Sequence, residues 1–80
     1  MQEKVDLLAP REREILRLMG TGMYLAEVAA HLGLAPSSVA TTANKATAKL
    51  GARHSYHAAI LFLRYELQEK AKLATWRKPA

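Results

Sequence analysis

The 80-residue chain contains no cysteine, few aromatic residues and no long run of apolar residues. The absence of cysteine excludes disulfides, thiolate metal sites and a cysteine nucleophile, and it is typical of a reducing compartment. No stretch approaches the roughly 20 apolar residues that span a membrane. The N-terminal MQEKVDLLAP also lacks the apolar centre of a signal peptide. The sequence therefore predicts one small cytoplasmic domain with no membrane association.

Acidic residues are scarce in the middle of the chain. The sequence has 12 Lys and Arg against 7 Asp and Glu, which gives a formal net charge of +5. Residues 28–65 contain no carboxylate, whereas Lys45, Lys49, Arg53 and Arg64 all fall within that interval. A small basic domain with this distribution suits a polyanionic partner better than a hydrophobic ligand.

Glycine and proline divide the chain into four segments in which apolar residues recur at helical spacing. The predicted helices span residues 10–20, 25–32, 36–50 and 55 to about 75. We expect Gly20 and Gly22 to end the first helix in the left-handed conformation. Ala9 stands where a serine or threonine would cap that helix, so its start is expected to be weaker than it could be. Because no segment alternates with a period of two, the predicted class is all-α with four helices.

The second and third predicted helices carry the spacing of a helix-turn-helix. Ala29, Gly33 and Val39 stand at relative positions 0, 4 and 10. A small residue lets two helices approach, glycine permits a positive φ in the turn, and a β-branched residue packs the second helix on the first. Val39, Ala46 and Leu50 are expected to be core residues of that second helix.

Four stretches extend this pattern over most of the chain. They are LAPREREILRLMGTG from Leu8, AEVAAHL from Ala26, APSSVATT from Ala35 and KLGA from Lys49. With these stretches the chain resembles the LuxR/GerE-type helix-turn-helix family over about residues 8–67. The resemblance implies a sequence-specific transcriptional regulator that binds double-stranded DNA as a homodimer, with helix 36–50 in the major groove.

The last helix is longer than the family pattern, which would end near Leu67. The resemblance implies that this helix pairs two copies, and the predicted dimer contacts are Ile60, Leu63 and Leu67. We assign residues 1–7 to an N-terminal arm, 8–69 to the LuxR-type domain and 70–80 to a helix extension or tail. Trp76 either anchors a partner or packs on its own helix.

The expected DNA-reading residues depart from those of the family. The family usually has threonine, lysine and histidine where this chain has Ser38, Ala40 and Thr42. The resemblance assigns base contacts to Ala40, Thr41 and Asn44. Asn44 can bond adenine through two hydrogen bonds, and the methyl groups of Ala40 and Thr41 can touch a thymine methyl, which predicts an A·T-leaning half-site.

Hydroxyl and basic side chains along the same helix, together with Arg53 just beyond its end, are candidates for phosphate contacts. The predicted set is Ser37, Ser38, Thr42, Lys45, Lys49 and Arg53. The alternative for the three cations is a solvated helix flank with no ligand. We expect Arg11 and Arg13 to pair with Glu12 and Glu14 at the surface rather than to bind DNA.

Catalysis is not expected. His31, His54 and His57 provide no metal set, since His54 and His57 form an i, i+3 pair without a third ligand. The sequence also lacks a glycine-rich phosphate loop and a nucleophile elbow. No metal and no cofactor are predicted.

A protein-interaction module is the alternative function. Such a module would bind or sequester another transcription regulator through its helical faces. An alanine-rich face at Ala40, Ala43 and Ala48 and the long last helix favour it. We expect either a complete small regulator, which the initial methionine favours, or the excised C-terminal fragment of a longer one.

Overall fold

Five helices make up the fold of residues 2–76, the part of the chain that the computed structural model describes; side chains are described for residues 2–72. The helices are α1 (Gln2–Val5), α2 (Pro10–Gly20), α3 (Leu25–Leu32), α4 (Pro36–Leu50) and α5 (Ser55–Trp76). No strand occurs in residues 2–76. The all-α prediction is confirmed, and α2 to α5 lie where the four predicted helices were expected. No helix in this described part is long and apolar enough to cross a membrane.

The short helix α1 was not predicted. Val5 is buried at 1% exposure, and Arg13 Nη2 donates a hydrogen bond to the Val5 carbonyl oxygen over 3.1 Å. Val5 thus packs on the domain, whereas the other residues of 2–7 are exposed. The assignment of residues 1–7 to an N-terminal arm stays a prediction. A four-residue helix is too short to show a helical repeat in the sequence, which explains why periodicity did not reveal it.

The core lies between α2, α4 and α5, and α3 packs on α4 and α2. Its buried apolar residues are Val5, Leu8, Ile15, Leu16, Met19, Val28, Ala29, Val39, Ala43, Ala46, Leu50, Ala58, Ala59 and Phe62. Five of these are alanines on α3, α4 and α5, which allow the helix backbones to approach closely. The predicted core positions Val39, Ala46 and Leu50 are confirmed.

Glycine ends both helices of the helix-turn-helix in the same way. Gly33 has φ +70° and Gly51 has φ +67°, the left-handed conformation that glycine adopts without a steric penalty. After α3, Leu34 N–H bonds the Ala29 carbonyl, and after α4, Ala52 N–H bonds the Thr47 carbonyl. These bonds form Schellman motifs, which turn the chain sharply and fix where α4 begins and where α5 follows.

The end of α2 differs from the prediction. Gly20 is the last residue of the helix and has no positive φ, whereas Gly22 has φ +105°. A Cβ at Gly20 would lie 3.7 Å from Leu63 Cδ2, so Gly20 lies directly against the Leu63 side chain of α5.

Glutamates complete the starts of α2 and α3. Ala9 N–H donates to Glu12 Oε1 over 2.7 Å, and Tyr24 N–H donates to Glu27 Oε1 over 2.8 Å. Each glutamate is the third residue of its helix, the position from which a side chain reaches back to the free N–H groups. Ala9 itself provides no side-chain cap, as expected, while Glu12 accepts the Ala9 N–H and so supports the start of α2 from the other direction.

Glu12 also joins α2 to α4. Its side chain is only 5% exposed, and Lys49 Nζ lies 2.8 Å from Glu12 Oε1. Burial raises the pKa of Glu12, but the hydrogen bonds from Lys49 and Ala9 and the charges of Lys49 and Lys45 outweigh it. The net result is a pKa below the ordinary glutamate value, so the carboxylate is ionised at neutral pH.

A second charged contact joins α2 to α5. Arg17 Nε and Nη2 donate to the two Glu66 oxygens over 3.2 and 2.6 Å, and the guanidinium lies 5.5 Å from the Phe62 ring centroid. Hydrogen bonding to Glu66 raises the pKa of Arg17. The expected surface pairing of Arg11 with Glu14 is confirmed at 3.0 Å. The expected pairing of Arg13 and Glu12 with neighbours on α2 is wrong, because their partners lie on α1 and α4.

We predict that Glu12→Gln lowers the free energy of unfolding by about 1–2 kcal/mol at pH 7, because Lys49 loses its anionic partner in a part-buried site. The lowered pKa means that this stabilisation is present above about pH 4.3, where free glutamate titrates, and is lost as the pH falls through the Glu12 value. Urea unfolding of both proteins from pH 7 to pH 3 measures the difference.

The matched control is Glu14→Gln, which removes an exposed carboxylate of the same helix. Its effect should stay within about 0.5 kcal/mol at every pH. Equal losses for the two variants would show that the Glu12 contact contributes no more than a surface pair.

Candidate nucleic-acid interface

The helix-turn-helix consists of α3 and α4, joined by residues 33–35. Ala29 is 1% exposed and Val39 is fully buried, while Gly33 takes the left-handed conformation between them. As the spacing predicted, Ala29 and Val39 pack in the core and Gly33 takes the positive φ of the turn. Because Val39 and Ala43 anchor one side of α4 in the core, the opposite side of that helix faces outward.

The outward side of α4 is small and polar. Its exposed positions form one strip, which we call the α4 outer face: Ser37, Thr41, Asn44, Lys45 and Ala48. Their spacing of three and four residues places them one helical turn apart. Two of the predicted base-contacting residues, Thr41 and Asn44, lie on this face, and the third, Ala40, lies half-buried at its edge.

The N-terminus of α4 is open to solvent and has no carboxylate in its first turn. Ala35 provides no side-chain cap there, and the side chains of Ser37 and Ser38 are exposed. The free N–H groups and the dipole of a helix N-terminus favour an anion such as phosphate. The Thr42 hydroxyl is engaged within the helix, since it donates to the Ser38 carbonyl oxygen over 2.9 Å.

The three predicted phosphate-binding cations differ in their surroundings. Lys45 and Arg53 are exposed, and neither forms an ion pair among the described side chains. Lys49 is only half-exposed, and its ammonium is held by Glu12. Glu12 was not predicted as part of this region, although its position three residues after Ala9 could have indicated its role as a helix cap.

Carboxylates are absent from α4 and from all of residues 28–65. Glu12 of α2 approaches the helix, where it forms an ion pair with Lys49 and also interacts electrostatically with Lys45. The α4 outer face itself therefore carries a cation and no carboxylate, which favours a polyanion.

His54 is the residue before α5, and His57 lies in the first turn of that helix. His57 N–H donates to His54 Nδ1 over 3.2 Å, and Arg53 N–H donates to His57 Nδ1 over 3.0 Å. The two rings therefore bind backbone groups at the start of α5, a role the sequence interpretation missed. Within the described residues, no group of three His, Cys, Asp or Glu side chains is arranged to hold a metal ion.

The alanine-rich face suggested for a protein partner does not exist as one surface. Ala43 is fully buried in the core, Ala40 is half-buried and only Ala48 is exposed. Ala48 lies five residues after Ala43, about 140° around the helix at 100° per residue, so the two alanines face different sides.

A row of apolar side chains on α5 remains uncovered. The α5 apolar face consists of Tyr56, Ile60, Leu63 and Leu67, whose exposed fractions are 37%, 50%, 36% and 57%. After Phe62, no described side chain of α5 is buried, so the helix extends beyond the core. The three predicted dimer residues thus share one exposed face, to which the structure adds Tyr56. The roles considered for Trp76 and for residues 77–80 lie outside the side chains that the structure describes.

Comparison with protein families identifies a family for this chain. The model of the bacterial regulatory proteins of the luxR family matches residues 6–62, which is well over half of the chain and includes α2, α3 and α4. No curated protein and no solved structure matches the chain. The match covers the helix-turn-helix and the polar outer face described above. The chain therefore belongs to the luxR family of bacterial regulatory proteins and carries the family's DNA-binding helix-turn-helix domain.

Proposed function

We propose that this chain is a sequence-specific transcriptional regulator that binds double-stranded DNA as a homodimer, with α4 in the major groove. The observation that carries the proposal is the α4 outer face. One side of α4 is fixed in the core by Val39, Ala43 and Ala46, while the other side exposes hydroxyl, amide and ammonium groups without a carboxylate. B-DNA admits a helix of this kind in its major groove.

Base reading is assigned to Ala40, Thr41 and Asn44. The Asn44 amide is the one group of the three that can both donate to and accept from a base edge, and its pattern matches adenine. The methyl groups of Ala40 and Thr41 suit the thymine methyl. Such a set favours an A·T-leaning half-site. A two-fold dimer would read two such half-sites about one helical turn apart.

We expect selection from random duplex DNA near physiological salt to enrich a two-fold, A·T-leaning site. In the same selection, Asn44→Ala should lose the preference at one base pair of each half-site, because a bidentate contact contributes about 1–3 kcal/mol of discrimination. Gln68→Ala removes an exposed amide on α5 and serves as the matched control, which should enrich the original site. An unchanged site with Asn44→Ala would refute the base assignment.

Phosphate binding is assigned to Ser37, Ser38, Thr42, Lys45, Lys49 and Arg53. Lys45, Arg53 and the two serines are exposed and carry this role most directly. Lys49 and Thr42 would have to share or exchange their present partners, Glu12 and the Ser38 carbonyl. The strongest electrostatic contribution is therefore expected from Lys45 and Arg53.

We predict that Lys45→Ala weakens binding to all DNA sequences alike and reduces the slope of log affinity against log salt by about 0.9 for each protomer. Fluorescence anisotropy over a salt series measures the slope. Lys70→Ala, which removes an exposed lysine from α5, is the control and should leave the slope unchanged. Lys49→Ala is less informative because it also leaves buried Glu12 without its cation. Equal slopes for the wild-type protein and Lys45→Ala would exclude Lys45 from the interface.

Pairing of two copies is assigned to the α5 apolar face. Its residues are spaced by four, three and four positions, which keeps them on one side of the helix. A two-fold interface places the same face on both partners, so one self-complementary row is sufficient. The face is short, and we expect the dimer to be weak until two half-sites on DNA hold the protomers together.

We predict that Leu67→Asp abolishes the dimer, because the contact would then bury an unpaired carboxylate from each protomer. Leu67 is preferred to Leu63 for this test, since Leu63 also packs near Gly20 and its loss would disturb the fold. Leu7→Asp changes a 63% exposed leucine outside α5 and is the control. Sedimentation with and without a two-site duplex measures the oligomer. Dimers that persist in Leu67→Asp would place the interface elsewhere.

A module that binds another transcription regulator remains the second candidate, because the α5 apolar face would serve a different helix as well as a second copy. It no longer draws support from Ala43, which is a core residue. If Asn44→Ala and Lys45→Ala behave like the wild-type protein in DNA binding while Leu67→Asp prevents capture of a regulator, this second function is the correct one.

A further inference from the structure

The ammonium group of Lys4 lies at the C-terminal end of α4. A Cβ built at Gly51 would be 3.4 Å from Lys4 Nζ, so this side chain of α1 reaches the residue that ends α4. Its neighbour Val5 is 1% exposed, and the Val5 carbonyl accepts a hydrogen bond from Arg13 of α2. The packing of Val5 thus holds the backbone that carries Lys4 beside α4.

Two further cations belong to this end of α4. Lys49 and Arg53 stand two residues before and two residues after Gly51, so their Cα atoms lie within about 7 Å of it. Lys49 is paired with Glu12, whereas Lys4 and Arg53 are exposed and form no ion pair with a described side chain. Lys4 and Arg53 are therefore the cations that this end of α4 presents to solvent.

The acids of the N-terminal residues leave Lys4 unpaired. Glu3 and Asp6 are both exposed, and neither lies within ion-pair distance of the Lys4 ammonium. Lys4 Nζ also donates no hydrogen bond to any of the described residues. Its three donors are thus available to a ligand.

A phosphate at this end of α4 depends on such cations. The C-terminus of an α-helix carries about half a negative charge, which repels an anion. Lys49 contributes little against that charge, because its own charge is balanced by the buried carboxylate of Glu12. Lys4 and Arg53 reverse the sign of the potential there, and two neighbouring cations attract a polyanion more strongly than either one alone.

We propose that Lys4 of α1 binds a DNA phosphate beside the C-terminal end of α4, next to a phosphate bound by Arg53. The contact extends the phosphate-binding surface from the helix-turn-helix onto the N-terminal helix. The family match begins at residue 6 and does not include Lys4. This contact rests on the proposed binding of double-stranded DNA, but it requires neither a specific site nor a dimer.

The salt dependence of binding to a duplex of random sequence tests the contact, because phosphates are alike in every sequence. Lys4→Ala should lower the slope of log affinity against log salt by about 0.9 for each protomer, and should weaken binding about fivefold near physiological salt. Lys4→Arg keeps the charge and should retain the wild-type slope. Lys70→Ala, which removes an exposed lysine of α5, is the matched control and should also retain it.

A Lys4→Ala slope equal to that of the wild-type protein would overturn the proposal. If that unchanged slope came with a lower Tm, Lys4 would be a cation that only stabilises the end of α4. Acetylation of lysines in the wild-type protein, read by mass spectrometry, gives a second test that needs no substitution. The same duplex should slow the acetylation of Lys4 and leave that of Lys70 unchanged. Equal acetylation of Lys4 with and without the duplex would contradict the contact.

The phosphate contact and the proposed regulator fail separately. If Lys4→Ala lowers the slope on random duplex but selection enriches no site, the contact stands and the sequence-specific regulator falls. If a site is selected and Lys4→Ala binds it with the wild-type slope, the regulator stands and the contact falls.

Discussion

The buried carboxylate of Glu12 is the contact on which the arrangement of this small domain depends. It completes the start of α2 by accepting the Ala9 N–H, and it holds Lys49 near the end of α4. The orientation of α4 relative to α2 thus depends on a charge at a defined place as well as on apolar packing. A domain with so few large core side chains gains from such a contact, because alanine-rich helix faces bring backbones together without fixing their rotation.

Because of the same contact, the two lysines of α4 have different surroundings. Lys49 completes an internal pair, whereas Lys45, one turn earlier, remains exposed on the α4 outer face. The positions look equivalent in the sequence, since both are lysines separated by four residues on one helix. They differ because Glu12 lies beside only one of them, and that neighbour is 37 residues away along the chain.

Local signals in the sequence were sufficient to predict the positions of the four longer helices. Proline at the start of α2 and α4, glycine after α3 and α4, and apolar spacing along each helix are short-range features, and all four long helices lie where they indicated. The family resemblance, now supported by the match over residues 6–62, identified the helix-turn-helix and its outward side. Contacts between distant residues were missed because no pattern records them: Arg13 with Val5, Glu12 with Lys49 and Arg17 with Glu66. The assignment of individual DNA contacts remains a prediction.

The small size of the side chains on the α4 outer face has a consequence for how such a protein would search a chromosome. One amide and a few methyl and hydroxyl groups distinguish few bases, so most of the attraction to DNA would come from phosphates that are alike everywhere. The ratio of specific to non-specific affinity would be low, and many genomic positions would compete for each molecule. Occupancy of a promoter would then depend on the number of protein copies in the cell and on neighbouring sites that bind further copies. Such a regulator would respond to its own abundance.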